Sequence, residues 1–276
     1  MNDYKHAART PHDEWTERIA VLAPKVREWG ERIKTPKSPS PGSSLANDRM
    51  EKLDVESVIW YALCVSVEHL NLTIDVMHEI GKLYPTAYMT VLRTSFLTSV
   101  NALWVLSGKS RVDRRLRALR ITADDVNVQI KVIRASPATE DTESAKELSL
   151  QRLLDRQDEL QAIANELGST ENVRRMRLNQ TDIVSDVAEQ WNDSEAGEYL
   201  GDGLPHIWRT GSAAAHGQYH FGASRVSPED LMGSEGTSAV ARLKGDLAND
   251  VGPALAAVFF VLLKAFQIYD SASLLN

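Results

Sequence analysis

Apolar residues recur at helical spacing over long stretches of this chain. Between Ile59 and Met77 they fall at steps of three or four residues, which places them on one face of a single long helix. No stretch indicates a central strand. The sequence therefore predicts an all-α fold, built as a helical bundle. Further helices are predicted over 13–34, 86–106, 142–167, 204–216 and 237–273. The glycines of 197–203 indicate a loop, 218–226 an extended segment and 227–236 a second loop.

A polar segment separates the first helix from the rest. Residues 35–44, TPKSPSPGSS, contain three prolines, one glycine and four serines. This composition is typical of a flexible or extended linker. We therefore expect 1–46 to form an N-terminal helix plus linker, and 47–276 to form the bundle domain. The long helix of that domain is predicted over 47–83, with Asp48 as its N-terminal cap.

Composition limits the classes of partner. The chain has 276 residues and a net charge of −7. This charge disfavours a general nucleic-acid coat protein, because phosphate neutralisation needs clustered Lys and Arg, but it permits a local basic site. Cys64 is the only cysteine, so no internal disulfide can form, and a reducing compartment is expected.

One uncharged segment raises the question of a membrane. Residues 251–263, VGPALAAVFFVLL, are 13 in number and are followed by Lys264. A helix that spans a bilayer needs about 20 apolar residues. The N-terminus also lacks the apolar core of a signal peptide. We therefore expect a buried core helix in a cytoplasmic protein that does not contact a membrane.

A basic segment opens the part of the chain from 109 to 178, which is predicted to form a helical hairpin inserted into the bundle. Residues 109–120, KSRVDRRLRALR, hold six basic residues and one acid. The arginines wrap around their helix, as on an exposed charged surface. The alternative is an electrostatic site for RNA or for an acidic protein partner. Its contact residues would be Arg111, Arg114, Arg115 and Arg117.

The segment richest in reactive side chains is 204–222, LPHIWRTGSAAAHGQYHFG. On a helix, Arg209, Ser212 and His216 fall within one sector of about 60°. Arg209 and His216 lie about 10 Å apart along the axis, so both can reach a phosphate or carboxylate placed between them. In metal-free RNA cleavage a His can move the proton of the 2′-OH, and an Arg can stabilise charge on the phosphate.

A structural role for the same residues stays open. His216 precedes Gly217, where it can bond the last free carbonyls of a helix. Arg209 and Ser212 can form a buried polar pair that fixes helix register. Metal binding is disfavoured, because Gly217 ends the helix between His216 and His220 and no acid accompanies them. We predict no metal and no cofactor.

The run Trp208-Arg209-x-x-Ser212-x-x-x-His216-Gly217 resembles the HEPN superfamily of helical domains, whose hallmark is Arg, four to six residues, then His near a helix end. It looks more like a bacterial HEPN-like group with an aromatic-Arg-x-x-Ser-x-x-x-His-Gly pattern and an upstream Arg beside an apolar run, as Arg93 is here.

The resemblance implies catalytic roles for Arg209 and His216 and supporting roles for Ser212 and Arg93. It further implies a homodimer that acts on RNA, as a metal-independent endoribonuclease or as an RNA or nucleotide binder, in a defence or toxin system. The alternative function is a non-catalytic scaffold whose hairpin over 109–178 contacts a protein partner.

Overall fold

The computed structural model describes residues 10–191, 197–235 and 238–275. Over these ranges the chain forms ten α-helices and one short β-hairpin, so the all-α prediction is confirmed as the dominant character of the fold. The helices are α1 (Pro11–Arg32), α2 (Ser44–Asp48), α3 (Val55–Ile80), α4 (Ala87–Leu106), α5 (Arg111–Ala135), α6 (Glu140–Glu166), α7 (Gln180–Ala188), α8 (Gly197–Ala215), α9 (Tyr219–Ala223) and α10 (Gly252–Ser273).

The chain divides into two compact units. The first contains the described residues of Met1–Pro36, Leu63–Ser99 and Ala188–Leu263. The second contains those of Lys37–Ala62, Val100–Val187 and Lys264–Asn276. The divisions fall after α1, inside α3, α4 and α10, and before the last residue of α7.

Helix α1 packs one face into the core of the first unit. Val26 and Trp29 are buried, and the Trp29 ring centroid lies 5.1 Å from that of Phe259 on α10. Gly30 allows α3 to come close, because a Cβ there would lie 2.7 Å from the side-chain nitrogen of Asn71. That nitrogen donates a hydrogen bond to the Val26 carbonyl at 3.3 Å, which fixes the position of α1 against α3.

The N-terminal cap predicted for a helix over 47–83 is wrong. Asp48 ends the short helix α2 and is completely buried. Arg114 on α5 donates to both of its carboxylate oxygens, at 2.5 and 2.9 Å, so this carboxylate is not available to cap α3. Asp54 takes that role instead and accepts a hydrogen bond from the Ser57 amide at 3.1 Å.

Helices α5 and α6 pack against each other as a helical hairpin. A buried amide pair links them, with the Gln157 side chain donating to the Asn127 side-chain oxygen at 2.5 Å. The Asn127 side-chain nitrogen donates in turn to the carbonyls of Val173 and Met176, at 2.9 and 3.1 Å. These bonds hold the segment that follows α6 against the hairpin.

Helix α8 is longer than predicted. The glycines of 197–203 indicated a loop, but α8 runs through this segment and continues through Pro205. Gly201 and Leu204 are buried, which indicates that packing overrides the low helix propensity of glycine here. The prediction of an extended segment after Gly217 is also wrong, since that segment contains α9.

The chain after α9 departs from the prediction of loop and helix. Strands β1 (Leu231–Glu235) and β2 (Ser238–Ala241) pair antiparallel. The helix predicted from 237 begins only with the π-helical turn Leu247–Val251, which leads into α10. The Asp246 carboxylate sets this start, because it accepts hydrogen bonds from the amides of Ala248 and Asn249, both at 2.9 Å.

The prediction of a cytoplasmic protein without membrane contact is contradicted. Residues 251–263 are too short to cross a bilayer only if the apolar segment ends at Lys264. The helical segment runs past Lys264 and reaches 27 residues, more than the roughly 20 that a bilayer requires. In the described chain, three segments are long and apolar enough to cross a membrane: Val55–Ile80, Ala87–Leu106 and Leu247–Ser273.

Candidate functional site

Helix α8 approaches α4 closely at Gly211. A Cβ on Gly211 would lie 3.0 Å from the Arg93 Cβ and 3.5 Å from the Met89 carbonyl oxygen. The next small residues, Ala213 and Ala214, are buried. The short side chains of this stretch therefore allow α4 and α8 to pack closely, and they place Arg93 directly against α8.

The Arg93 guanidinium stacks on the indole of Trp208. Its Cζ lies 4.8 Å from the ring centroid, within the range of a cation–π contact. The Arg93 Nε is buried and has no hydrogen-bond partner within the described part of the chain. Burial lowers the pKa of this guanidinium. An unsatisfied buried donor costs about 1–3 kcal/mol, so this nitrogen favours a ligand that can accept a hydrogen bond.

The polar sector of α8, defined by Arg209, Ser212 and His216, includes two side chains that meet solvent. Arg209 and His216 are exposed, and Ser212 is half-buried. Across the described ranges, the side chains of Arg209 and His216 form no hydrogen bond or ion pair. They are therefore available to a ligand rather than occupied inside the fold.

The backbone alone closes the C-terminus of α8. Gly217 adopts a φ of +60°, and its amide donates to the Ala214 carbonyl at 3.1 Å. The Gln218 amide donates to the Ala213 carbonyl at 3.0 Å, which completes a Schellman motif. These two carbonyls thus have backbone partners, and the His216 imidazole is not needed as their cap.

Arg93 flanks the polar sector through its contact with Trp208. Around the helix, Trp208 lies about 40° from Ser212 and about 100° from Arg209. The Arg93 guanidinium on the Trp208 ring thus lies on the Ser212 side of the sector. The structure thus places Arg93 of α4 against α8, the helix of the polar sector. This neighbourhood has two exposed reactive groups, Arg209 and His216, and one partly buried cation, Arg93.

The arginines of the basic segment bind within the second unit, mainly around Asp48. The Asp48 carboxylate pairs with Arg114. The Asp48 main-chain carbonyl accepts a hydrogen bond from Arg115 Nε at 2.9 Å. Arg117 donates to the Trp104 carbonyl at 2.6 Å and stacks over that ring. The fourth arginine, Arg111, is exposed, and its Nε lies 3.7 Å from an Asp48 carboxylate oxygen. All four predicted contact residues lie on α5: Arg111, Arg114, Arg115 and Arg117.

No group of three His, Cys, Asp or Glu side chains converges as a metal site within 10–191, 197–235 and 238–275. His216 and His220 are both exposed, and Gly217 separates them at the end of α8.

The chain matches no protein-family model, no curated protein and no solved structure. The resemblance drawn from the motif thus rests on the motif residues, and the functional interpretation rests on the geometry around α8.

Replacing Gly211 by leucine is expected to lower the free energy of unfolding by about 1–3 kcal/mol, since the new side chain would enter the contact with Arg93. Urea denaturation followed by circular dichroism measures this change. Gly203→Leu is the matched control on α8, because a Cβ at Gly203 meets nothing within 4 Å. Equal stability of the two variants would contradict the close contact between α4 and α8.

Proposed function

We propose that the chain is a HEPN-like protein that binds RNA at the polar sector of α8 and cleaves it without a metal. The main support for this proposal is that the side chains of Arg209 and His216 are exposed on one helix and form no hydrogen bond or ion pair with the rest of the described structure. A sector in which a cation and a proton-transfer group both stay free suits a ligand with a phosphate between them.

The proposed reaction uses the 2′-OH of RNA as the nucleophile. His216 accepts its proton, and the 2′ oxygen attacks the adjacent phosphorus. The bond from phosphorus to the 5′ oxygen breaks, which leaves a 2′,3′-cyclic phosphate. A protonated histidine returns a proton to the departing 5′ oxygen. If two copies of the chain face each other, the second His216 supplies that proton.

Arginine side chains hold the phosphate in this proposal. Arg209 donates to the non-bridging oxygens, on which negative charge increases in the transition state. Arg93 is a second donor through its guanidinium, because this residue is half-buried rather than enclosed and lies beside the sector. Trp208 keeps the Arg93 guanidinium in place by stacking, so little reorganisation is needed when the phosphate arrives.

Arg209→Ala is expected to lower the cleavage rate by about 100-fold, the effect of removing one donor to a developing anion. Purified protein is incubated with labelled single-stranded RNA in excess EDTA, and the products are tested for 2′,3′-cyclic phosphate ends. The matched control is Arg134→Ala, which removes an exposed arginine from α5 and is expected to leave the rate unchanged. Intact RNA with the wild-type protein, or equal cleavage by Arg209→Ala, would reject the proposal.

The alternative of a non-catalytic scaffold has less support from this helix. In that alternative Arg209 and His216 stabilise the fold, which requires contacts that they do not make with any described residue. The helix end also has its own backbone closure. Binding of RNA without cleavage would place the function in RNA recognition and would leave the catalytic step unsupported.

A further inference from the structure

A cavity of about 430 Å³ lies within the first unit, between α1 and the C-terminal end of α3. Its volume falls within the range of roughly 300–1,000 Å³ that is typical of small-molecule sites. No residue of the polar sector of α8 lines it, so it is separate from the proposed RNA site. Most of its wall is aliphatic, with Ile19, Ala23, Ile74, Met77 and Leu83 as the main contributors.

The mouth of this cavity is biased toward positive charge. Among the described residues that line it there is no Asp or Glu, although the whole chain has a net charge of −7. Arg27 is exposed and forms no ion pair with any residue that the structure describes. The side chains that can carry positive charge there come from α1, from the end of α3 and from the residue after Gly81: His12, Arg27, His78 and Lys82.

Two of these groups have weak local contacts. The Lys82 ammonium lies 5.3 Å from the Tyr84 ring centroid, and the His78 ring nitrogen lies 3.3 Å from a Glu79 oxygen. Both side chains of the second pair are largely exposed, so their interaction is screened by water. Arg27 and Lys82 thus remain the available cations at the mouth of an apolar cavity.

The wall opposite α1 is held by a tight backbone contact. Gly81 ends α3 with a φ of +61°, and the chain then continues through Lys82 and Leu83. A Cβ on Gly245 would lie 2.7 Å from the Leu83 Cβ and 2.8 Å from its carbonyl oxygen. Leu83 is therefore packed directly against the segment before α10, and its side of the cavity is formed in advance of any ligand.

We propose that this cavity binds a soluble single-chain amphiphile with an anionic head, specifically a medium-chain carboxylate. The aliphatic tail occupies the cavity, and the carboxylate lies at the mouth between Arg27 and Lys82. This site is independent of the proposed RNA chemistry, because it uses other residues of the unit. Burial of each methylene contributes about 0.8 kcal/mol, which corresponds to about a fourfold gain in affinity.

Isothermal titration with hexanoate, octanoate and decanoate tests the proposal. Affinity is expected to rise about fourfold for each added methylene. The exposed double variant Arg27→Gln/Lys82→Gln is expected to weaken decanoate binding about tenfold, because it removes two charge contacts that water partly screens. Decanol, which has the tail without the charge, is expected to bind both proteins equally. Decanoate binding that is unchanged in the double variant would overturn the assignment of the head site.

A second pair of variants locates the tail. Ala20 lines the cavity from the exposed side of α1, whereas the neighbouring Val21 is 77% exposed and does not line it. Ala20→Phe is expected to reduce decanoate affinity at least tenfold, and Val21→Phe is expected to leave it unchanged. No saturable binding of any carboxylate by the wild-type protein, or equal binding by these two variants, would overturn the proposal.

An anionic membrane lipid shares this head-and-tail chemistry, and sedimentation with phosphatidylglycerol vesicles separates the two sources. If the ligand is a soluble carboxylate, decanoate is expected to bind in solution. The double variant and the wild-type protein are then expected to sediment with vesicles to the same extent. Sedimentation that depends on Arg27 and Lys82, without any binding of free decanoate, would overturn the soluble carboxylate in favour of a lipid.

Discussion

Replacing His216 by alanine is expected to lower the rate of metal-independent RNA cleavage by about 10²–10⁴-fold, the usual contribution of a general acid or base. The free energy of unfolding is expected to change by less than about 0.5 kcal/mol, because the side chain is exposed and the Schellman motif closes α8 without it. Single-turnover cleavage of labelled RNA and urea denaturation measure the two quantities on the same preparation.

The matched control is His220→Ala. His220 is also an exposed histidine, four residues further along the chain and beyond the end of α8. We expect this variant to cleave RNA at the wild-type rate. A His216→Ala variant that loses stability but keeps its cleavage rate would assign His216 a structural role. Loss of cleavage in both variants would contradict a specific catalytic role for His216, because removing any exposed histidine near α9 would then have the same effect.

Replacing Asp48 by alanine is expected to lower the free energy of unfolding by about 3–5 kcal/mol, the magnitude found when one partner of a buried ion pair is removed. Asp48 is completely buried, and the side chain of Arg114 is 17% exposed. Without the carboxylate, the Arg114 guanidinium is left desolvated next to an empty space. Arg115 also bonds the Asp48 carbonyl, so the end of α2 remains attached to α5 in part.

An exposed ion pair in the same unit gives the control for Asp48. Arg174 and Asp158 lie 2.7 Å apart, with side chains 55% and 67% exposed. Asp158→Ala is expected to lower the free energy of unfolding by at most about 1 kcal/mol. The double variant Asp48→Leu/Arg114→Met is expected to recover most of the stability that Asp48→Ala loses, because both charges are removed together. Equal losses for Asp48→Ala and Asp158→Ala would contradict the burial of the Asp48 carboxylate.

The long helices could be predicted because their apolar periodicity is a local signal. Helices α1 and α4 begin and end within a few residues of their predicted positions. The role of Asp48 could not be predicted in this way. Its partner, Arg114, is 66 residues away in sequence, and a carboxylate near a helix start has the same local pattern whether it caps that helix or binds a distant guanidinium. The missed strands are only four and five residues long, and β1 contains Gly233, so the local signal for a strand is weak there.

The candidate site was predictable only in part, because contacts between residues far apart in sequence leave no local pattern. Helical spacing places Arg209, Ser212 and His216 in one sector, and the structure retains this helix. The stacking of Arg93 on Trp208 depends on the packing of α4 against α8, which helical spacing within α8 does not predict. The carboxylate cavity is assembled from α1, the end of α3 and the segment before α10, so no single stretch of sequence contains its pattern.

The backbone closure at Gly217 has a consequence for how this protein can change over evolutionary time. Because the last turn of α8 is completed by main-chain amides, the folding free energy places little restriction on the side chain at position 216. Related chains could exchange this histidine, and gain or lose a proton-transfer group, while they keep the same bundle. The helix end thus uncouples selection for chemistry from selection for stability at that position.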